Sequence, residues 1–117
     1  MPLEFTRHFD LVMRVLTDRG LLLGSFGPDG RANAMTIGWG TLGSVWGLPV
    51  WTVLVRPSRY TYDCIEQAGA FSVCVPTAAM TRVCGVCGSK SGRDVDKLAE
   101  CGLTVRPGSS ANAPDIV

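Results

Sequence analysis

The sequence predicts a mainly β domain with helices, built as an antiparallel sheet or barrel with helical decoration rather than from alternating βαβ units. Two observations carry this. The β-like runs come early and are separated by turns of hairpin length. The helical periodicities are short, and they fall before the first strand or between the later ones.

In order, Phe9, Val12, Met13 and Leu16 recur at i, i+3, i+4 and i+7, which is one apolar helical face. Thr6 is placed to cap that helix and Gly20 to end it. Residues 21–26 read as a strand, Gly27-Pro28-Asp29-Gly30 as a turn, and residues 31–39 as the returning strand. Residues 40–43 read as a turn and 44–46 as a short strand. Gly47-Leu48-Pro49 then turns into residues 50–55, the most β-like run in the chain. Pro57 stops that strand. Thr61, Cys64, Ile65 and Ala68 follow a helical spacing that Gly69 closes, and residues 71–75 alternate as a strand ended by Pro76. Residues 78–84 read as a short helix, 85–93 as a Gly/Ser/Lys loop and 94–101 as a second short helix stopped by Gly102. Residues 103–106 read as a strand and 107–114 as a loop.

With 117 residues the chain forms one domain, 1–117. Hydrophobic residues make up 46% and charged residues only 18%, below the usual ~25%. Such a chain has little polar material to cover itself, and a subunit interface or a bound planar ligand would relieve that. Eleven basic against ten acidic residues give a net charge of +1, which argues against a nucleic-acid-binding face and against disorder. Any anion site must be local. Residues 42–55 carry no charge and no strongly polar group, and Gly43, Ser44, Gly47, Pro49 and Thr52 break the stretch too often to span a membrane. Glu4, Arg7, His8 and Asp10 interrupt the place where a secretory signal needs apolar residues, so the expectation is a cytoplasmic protein. The five cysteines are odd in number, which disfavours a disulfide framework.

Four segments are candidates for chemistry. Arg56-Pro57-Ser58-Arg59-Tyr60-Thr61 lies where a buried strand hands over to a helix, and a helix start offers unpaired N–H groups to an anion. Two guanidinium forks and two hydroxyls suit a phosphate there; the plainer reading is an N-cap with solvated arginines. In residues 33–40, alternation puts Asn33, Met35, Ile37 and Trp39 on one face and Ala34, Thr36 and Gly38 on the other. The small face would let a flat ring approach the backbone, although an ordinary core strand gives the same pattern. Residues 88–97, with Ser91, Gly92, Arg93 and Lys97, form a basic loop entering a helix capped by Asp94 or Ser91. That loop either joins an anion site or is simply surface, and it lacks the phosphate-loop spacing. Cys84-Gly85-Val86-Cys87 is a single CxxC, and zinc would need two further ligands that no second close pair supplies. One histidine, His8, cannot build a Ser/His/Asp set.

Taken together, Asn33-Ala34-Met35-Thr36-Ile37-Gly38-Trp39-Gly40, Trp46-Gly47-Leu48-Pro49, residues 55–62, residues 71–76, Cys87-Gly88 and Ser91-Gly92-Arg93-Asp94-Val95-Asp96-Lys97 occur in an order that resembles the flavin reductase-like, FMN-binding split-barrel family, in its flavoredoxin branch. The resemblance implies an antiparallel split β-barrel that forms a homodimer and holds FMN non-covalently near the subunit interface. It implies cofactor contacts at Asn33, Met35, Thr36, Ile37 and Trp39 along the ring and ribityl chain. Arg56, Ser58, Arg59, Tyr60 and Thr61 would lie at the phosphate, with Ser91, Gly92 and Lys97 close by. No side-chain nucleophile and no metal are expected, because the flavin carries the redox chemistry. The donor would be NAD(P)H or a redox protein, and the acceptor a flavin, ferric iron or a redox partner. The chain is read as lacking a separate dinucleotide fingerprint, so a nicotinamide would have to lie over the flavin face. A non-enzymatic FMN electron carrier is the alternative, followed by a haem- or zinc/thiol-based protein. Relatives continue where residues 113–117 stop, so the barrel is expected to be incomplete at its C-terminus.

Overall fold

The computed structural model describes residues 6–107 and 112–116. The elements run α1 (Phe9–Asp18), β1 (Leu21–Phe26), β2 (Ala32–Ile37), β3 (Gly40–Val45), β4 (Leu48–Val53), α2 (Tyr60–Ala68) and β5 (Ser72–Cys74). A 3₁₀ turn (Ala78–Met80) then leads into α3 (Thr81–Ser89), followed by α4 (Lys97–Cys101), β6 (Val105–Pro107) and β7 (Pro114–Ile116). Every strand pairing is antiparallel, in three sheets: β2-β1-β5, the β3–β4 hairpin and β6–β7. The antiparallel strands with helices match the expected class, and the ladders among the described residues do not run on into a ring.

β1 is the centre of the main sheet and is covered on both faces. Leu21 and Leu23 pack with Val15 and Leu16 of α1 and with Ile37. Leu22 faces the opposite way, into a cluster with Ala34, Val83, Cys84, Cys87 and Leu98 from β2, α3 and α4. A strand buried on both sides reads as a continuous apolar run, which is why the three leucines stand together. Each contributes ~1.5–3 kcal/mol by leaving water. Two helical layers thus clamp one three-stranded sheet, with β2 at its edge.

Several boundaries differ from the sequence reading. The N-cap of α1 is His8, with no side-chain capping bond, so Thr6 lies two residues before the cap position. The Gly20 N–H does close the helix on Val15 O at 2.9 Å. Residues 40–43 are strand, and the turn is the two-residue pair Trp46-Gly47, at φ +54° and +73°. Left-handed conformation at both central residues is the hairpin geometry that matches strand twist. Leu48 and Pro49 therefore already belong to β4, opposite Val45 and Ser44. Pro49 is tolerated because the ribbon has only two strands, leaving each with an unpaired edge. α3 runs on through Gly85 and Gly88 into what reads as loop, and α4 starts only at Lys97. Its cap is Asp96, whose Oδ1 accepts from Ala99 N at 3.1 Å, not Asp94 or Ser91. β6 starts at Val105, Pro114 opens β7, and part of the segment between them lies outside the described residues. No helix among the described residues is long and apolar enough to cross a membrane.

Candidate functional site

A cleft of about 500 Å³ lies between the end of β2, the turn before α2 and the α3–α4 connection. That volume is within the range of small-molecule sites, roughly 300–1,000 Å³. Its first wall is Met35, Thr36, Ile37, Gly38 and Trp39; its second is Arg56, Ser58, Arg59, Tyr60 and Thr61. Ser91, Gly92 and Lys97 complete it. Twelve of the thirteen residues singled out in the sequence therefore surround one space. As an edge strand, β2 turns backbone N–H and C=O groups outward, so the first wall offers main-chain hydrogen bonds as well as side chains.

Asn33 is the exception. It is buried and borders a small neighbouring depression instead of the main cleft. Its Nδ2 donates to Thr61 Oγ1 at 2.8 Å and reaches Ser25 Oγ at 3.5 Å, tying β2 to the first turn of α2. Thr36 also differs from expectation: its hydroxyl donates to Cys84 O at 2.6 Å. With that proton committed, Thr36 offers a ligand only an acceptor. The same contact explains Gly88, where a Cβ would come within 3.3 Å of Thr36 Cβ.

The turn before α2 is not capped by Ser58. The cap position is Arg59, in extended conformation and with no side-chain capping bond, so the Ser58 hydroxyl carries out no capping role. In the first turn of α2 the Tyr62 N–H is bonded to Arg59 O at 3.1 Å, and the Tyr60 and Thr61 N–H groups keep the unsatisfied character of a helix start. Among the described residues, Arg56 and Arg59 take part in none of the ion pairs; Arg14, Arg19, Arg31, Lys90 and Arg93 all do.

Lys97 is the site's most unusual group. Its side chain is buried, at 4% exposure, yet it faces no carboxylate among the described residues. Its one hydrogen bond is a long 3.4 Å contact from Nζ to Cys87 O, in the last turn of α3. Burial pushes the ammonium below the usual lysine range; the neighbouring thiols oppose that, and the Arg59 charge adds to it. A buried cation without a counter-charge costs several kcal/mol, so the fold carries a debt that an anion in the cleft would cancel.

Gly38, Leu54, Cys87, Gly88, Ser89, Lys90 and Arg93 also line the cleft and fall outside the cofactor set expected from the sequence. For Cys87, Gly88 and Ser89 the glycine-rich sequence of 85–89 predicts loop, and helix α3 is what brings them to the cleft. Cys84 and Cys87 sit one helical turn apart, both buried. The Cys87 thiol is pushed up to about 11, chiefly by burial, and the Cys84 thiol is raised for the same reason. A thiol in that state is a poor nucleophile and metal ligand. Among the described residues no three His, Cys, Asp or Glu side chains gather as a metal site. Contrary to the expectation of no dinucleotide fingerprint, Gly38-Trp39-Gly40-Thr41-Leu42-Gly43 does have the G-x-G-x-x-G spacing. It leads from β2 into β3, not into a helix, so no helix start is present to receive a pyrophosphate.

An antiparallel sheet with a cation-lined cleft beside a helix start at its edge defines a site suited to an anionic small molecule. The flavin reductase-like domain model matches residues 13–116, and the chain belongs to that family. Among solved structures it is similar to flavoredoxin of Desulfovibrio vulgaris (Miyazaki F), at 34% identity and TM-score 0.77 over 82% of this chain and 52% of that one. Flavoredoxin from Methanosarcina acetivorans gives 35% identity and TM-score 0.73 over 82% and 50%. An FMN-binding domain of flavin reductases-like enzyme from Shewanella baltica OS155 gives 28% and 0.72 over 91% and 56%. The chain thus spans about half the length of the solved structures it matches. No curated protein sequence matches it.

Proposed function

We propose that the cleft binds FMN and that the protein is an FMN-dependent oxidoreductase of the flavin reductase/flavoredoxin type. The observation that carries this reading is the uncompensated positive charge of Lys97, Arg59 and Arg56 around a helix start. A phosphomonoester brings about two negative charges at neutral pH, which is the complement this set lacks. Ser58 and the Tyr60 and Thr61 N–H groups of α2 add donors, and Thr61 is held in place by Asn33. Met35, Ile37 and Trp39 would flank the ring, with Thr36 accepting from a ribityl hydroxyl.

When bound, the flavin supplies a ring that takes up a hydride or two electrons and returns them to an acceptor. The chain's own share is binding, orientation and exclusion of water. NAD(P)H or a redox protein would be the donor; a flavin, ferric iron or a redox partner would be the acceptor. Purified protein mixed with FMN should show a bound-flavin absorption envelope that bleaches on adding NADH or NADPH. Bleaching only with a reduced redox protein would favour a non-enzymatic electron carrier, which the G-x-G-x-x-G without its helix supports. Arg59→Ala should weaken FMN binding by ~1.5–3 kcal/mol, the range for a hydrogen bond to a charged group.

The same reading includes a homodimer. From Ala32 to Val55 no residue carries a charge, and within that stretch Trp39, Val45, Trp46, Leu48, Val50 and Leu54 are exposed. Trp46, at the hairpin tip, is 97% exposed. Two copies meeting through this ribbon would bury apolar surface without stranding a charge. Sedimentation should give a dimer that Trp46→Ser weakens; a monomer at all concentrations would remove the claim.

A further inference from the structure

Arg93 belongs to the segment between α3 and α4 that forms one rim of the cleft. Its side chain does not hang free in solvent. Nη2 donates to Asp63 Oδ2 of α2 at 2.7 Å, and Nη1 donates to Ser58 O, in the turn before α2, at 3.2 Å. The guanidinium carbon also lies 5.5 Å from the centre of the Tyr60 ring. One planar group therefore grips α2, the turn before it and the aromatic ring at the junction. A fork with several donors can hold such a set at once, whereas an ammonium cannot.

The segment behind Arg93 is built for a fixed position. Ser91 Oγ accepts from Arg93 N at 3.1 Å, and Ser91 O accepts from Asp94 N and Val95 N at 3.0 and 3.1 Å. Gly92 is wedged so closely that a Cβ there would collide with Asn33 Oδ1 and come within 2.7 Å of Tyr60 Cδ2. Residues 91–93 are thus pressed against β2 on the inside and strapped to α2 on the outside.

We propose that Arg93 is a positioning residue, which through Asp63 and the Ser58 carbonyl latches the 91–93 strap to the turn before α2 and fixes both walls of the anion site. The inference rests on the FMN reading above, and it assigns Arg93 a role distinct from touching the phosphate. An exposed ion pair alone is worth little, so the effect depends on the three contacts acting together. The latch spends one N–H on each outer nitrogen of Arg93, a grip made within the protein itself.

A double-mutant cycle tests it, with FMN and riboflavin as probes and flavin fluorescence as the readout. Arg93→Ala and Asp63→Asn should each weaken FMN binding about three- to tenfold, and the double variant should be no worse than Arg93→Ala alone. Arg93→Lys should recover part of the loss, and riboflavin, which has no phosphate, should be little affected by any of them. If Arg93 instead binds the phosphate directly, Asp63→Asn would leave FMN binding unchanged or tighten it, and that result overturns the latch. Amide exchange of the ligand-free protein is the second readout. Both single variants should speed exchange at the Asp94 and Val95 amides, and unchanged exchange also overturns the proposal. If the wild-type protein binds no flavin at all, the functional reading fails while the exchange experiment still decides the latch.

Discussion

Replacing Lys97 by methionine should make the ligand-free protein more stable and the anion site weaker. The two side chains are similar in length, so the buried volume is nearly kept. What is lost is a 3.4 Å hydrogen bond to Cys87 O and a favourable charge at the end of α3, together worth about 1 kcal/mol. What is relieved is the burial of a cation at 4% exposure with no carboxylate beside it, an effective penalty of several kcal/mol. The balance favours Lys97→Met by roughly 1–3 kcal/mol, a rise of about 4–12 °C in the Tm of the ligand-free protein. FMN affinity should move the other way, by about 1.5–3 kcal/mol, or roughly 10- to 150-fold. The pH dependence carries the same signature. The folded-state pKa of Lys97 lies below its ordinary 10.5, so the unfolded chain holds more protons between the two values. The Lys97 contribution to ligand-free stability should therefore rise with pH across that window, against the fall that the raised Cys84 and Cys87 thiols bring, so the stability advantage of Lys97→Met should shrink as pH climbs. Differential scanning calorimetry with and without FMN measures both effects. A Lys97→Met protein that is less stable without ligand, or that binds FMN as tightly as the wild type, would refute the reasoning.

Gly92→Ala should destabilise the fold by about 1–3 kcal/mol in chemical denaturation, because its Cβ has no room between Asn33 and Tyr60. Asn33→Ala should cost about 1–3 kcal/mol by leaving the buried Thr61 hydroxyl without its donor, read as a shift in denaturation midpoint. Cys84 and Cys87 should resist alkylation at pH 7–8 in the native protein, since burial raises both thiols, and label only after unfolding; fast native labelling would reverse that assignment.

Much of the site was legible in the sequence because it lies at element ends that glycine, proline and hydroxyl residues mark. The start of α2 falls where the sequence places it and meets the run from Met35 to Trp39 across one cleft, although β2 itself ends at Ile37 and β4 ends at Val53, short of the expected stop at Pro57. Three things were not legible. Asn33 shares its strand face with Met35, but only the fold shows that its amide is spent on Thr61. Helix α3 contains Gly85 and Gly88, which argue for loop on propensity; tertiary contact overrides that, because Gly88 must pass close to Thr36. The burial of Lys97 cannot be read from a charged residue in a Gly/Ser/Lys-rich segment, where a solvated surface is the ordinary outcome.

The central claim is that a phosphate is held at the start of α2 by charges the fold leaves uncompensated. Calorimetric titration of the wild-type protein with FMN and with riboflavin, side by side at one ionic strength, tests it most directly. FMN should bind at least about tenfold more tightly, and raising the salt should narrow the gap. Equal affinity for the two flavins would contradict the account.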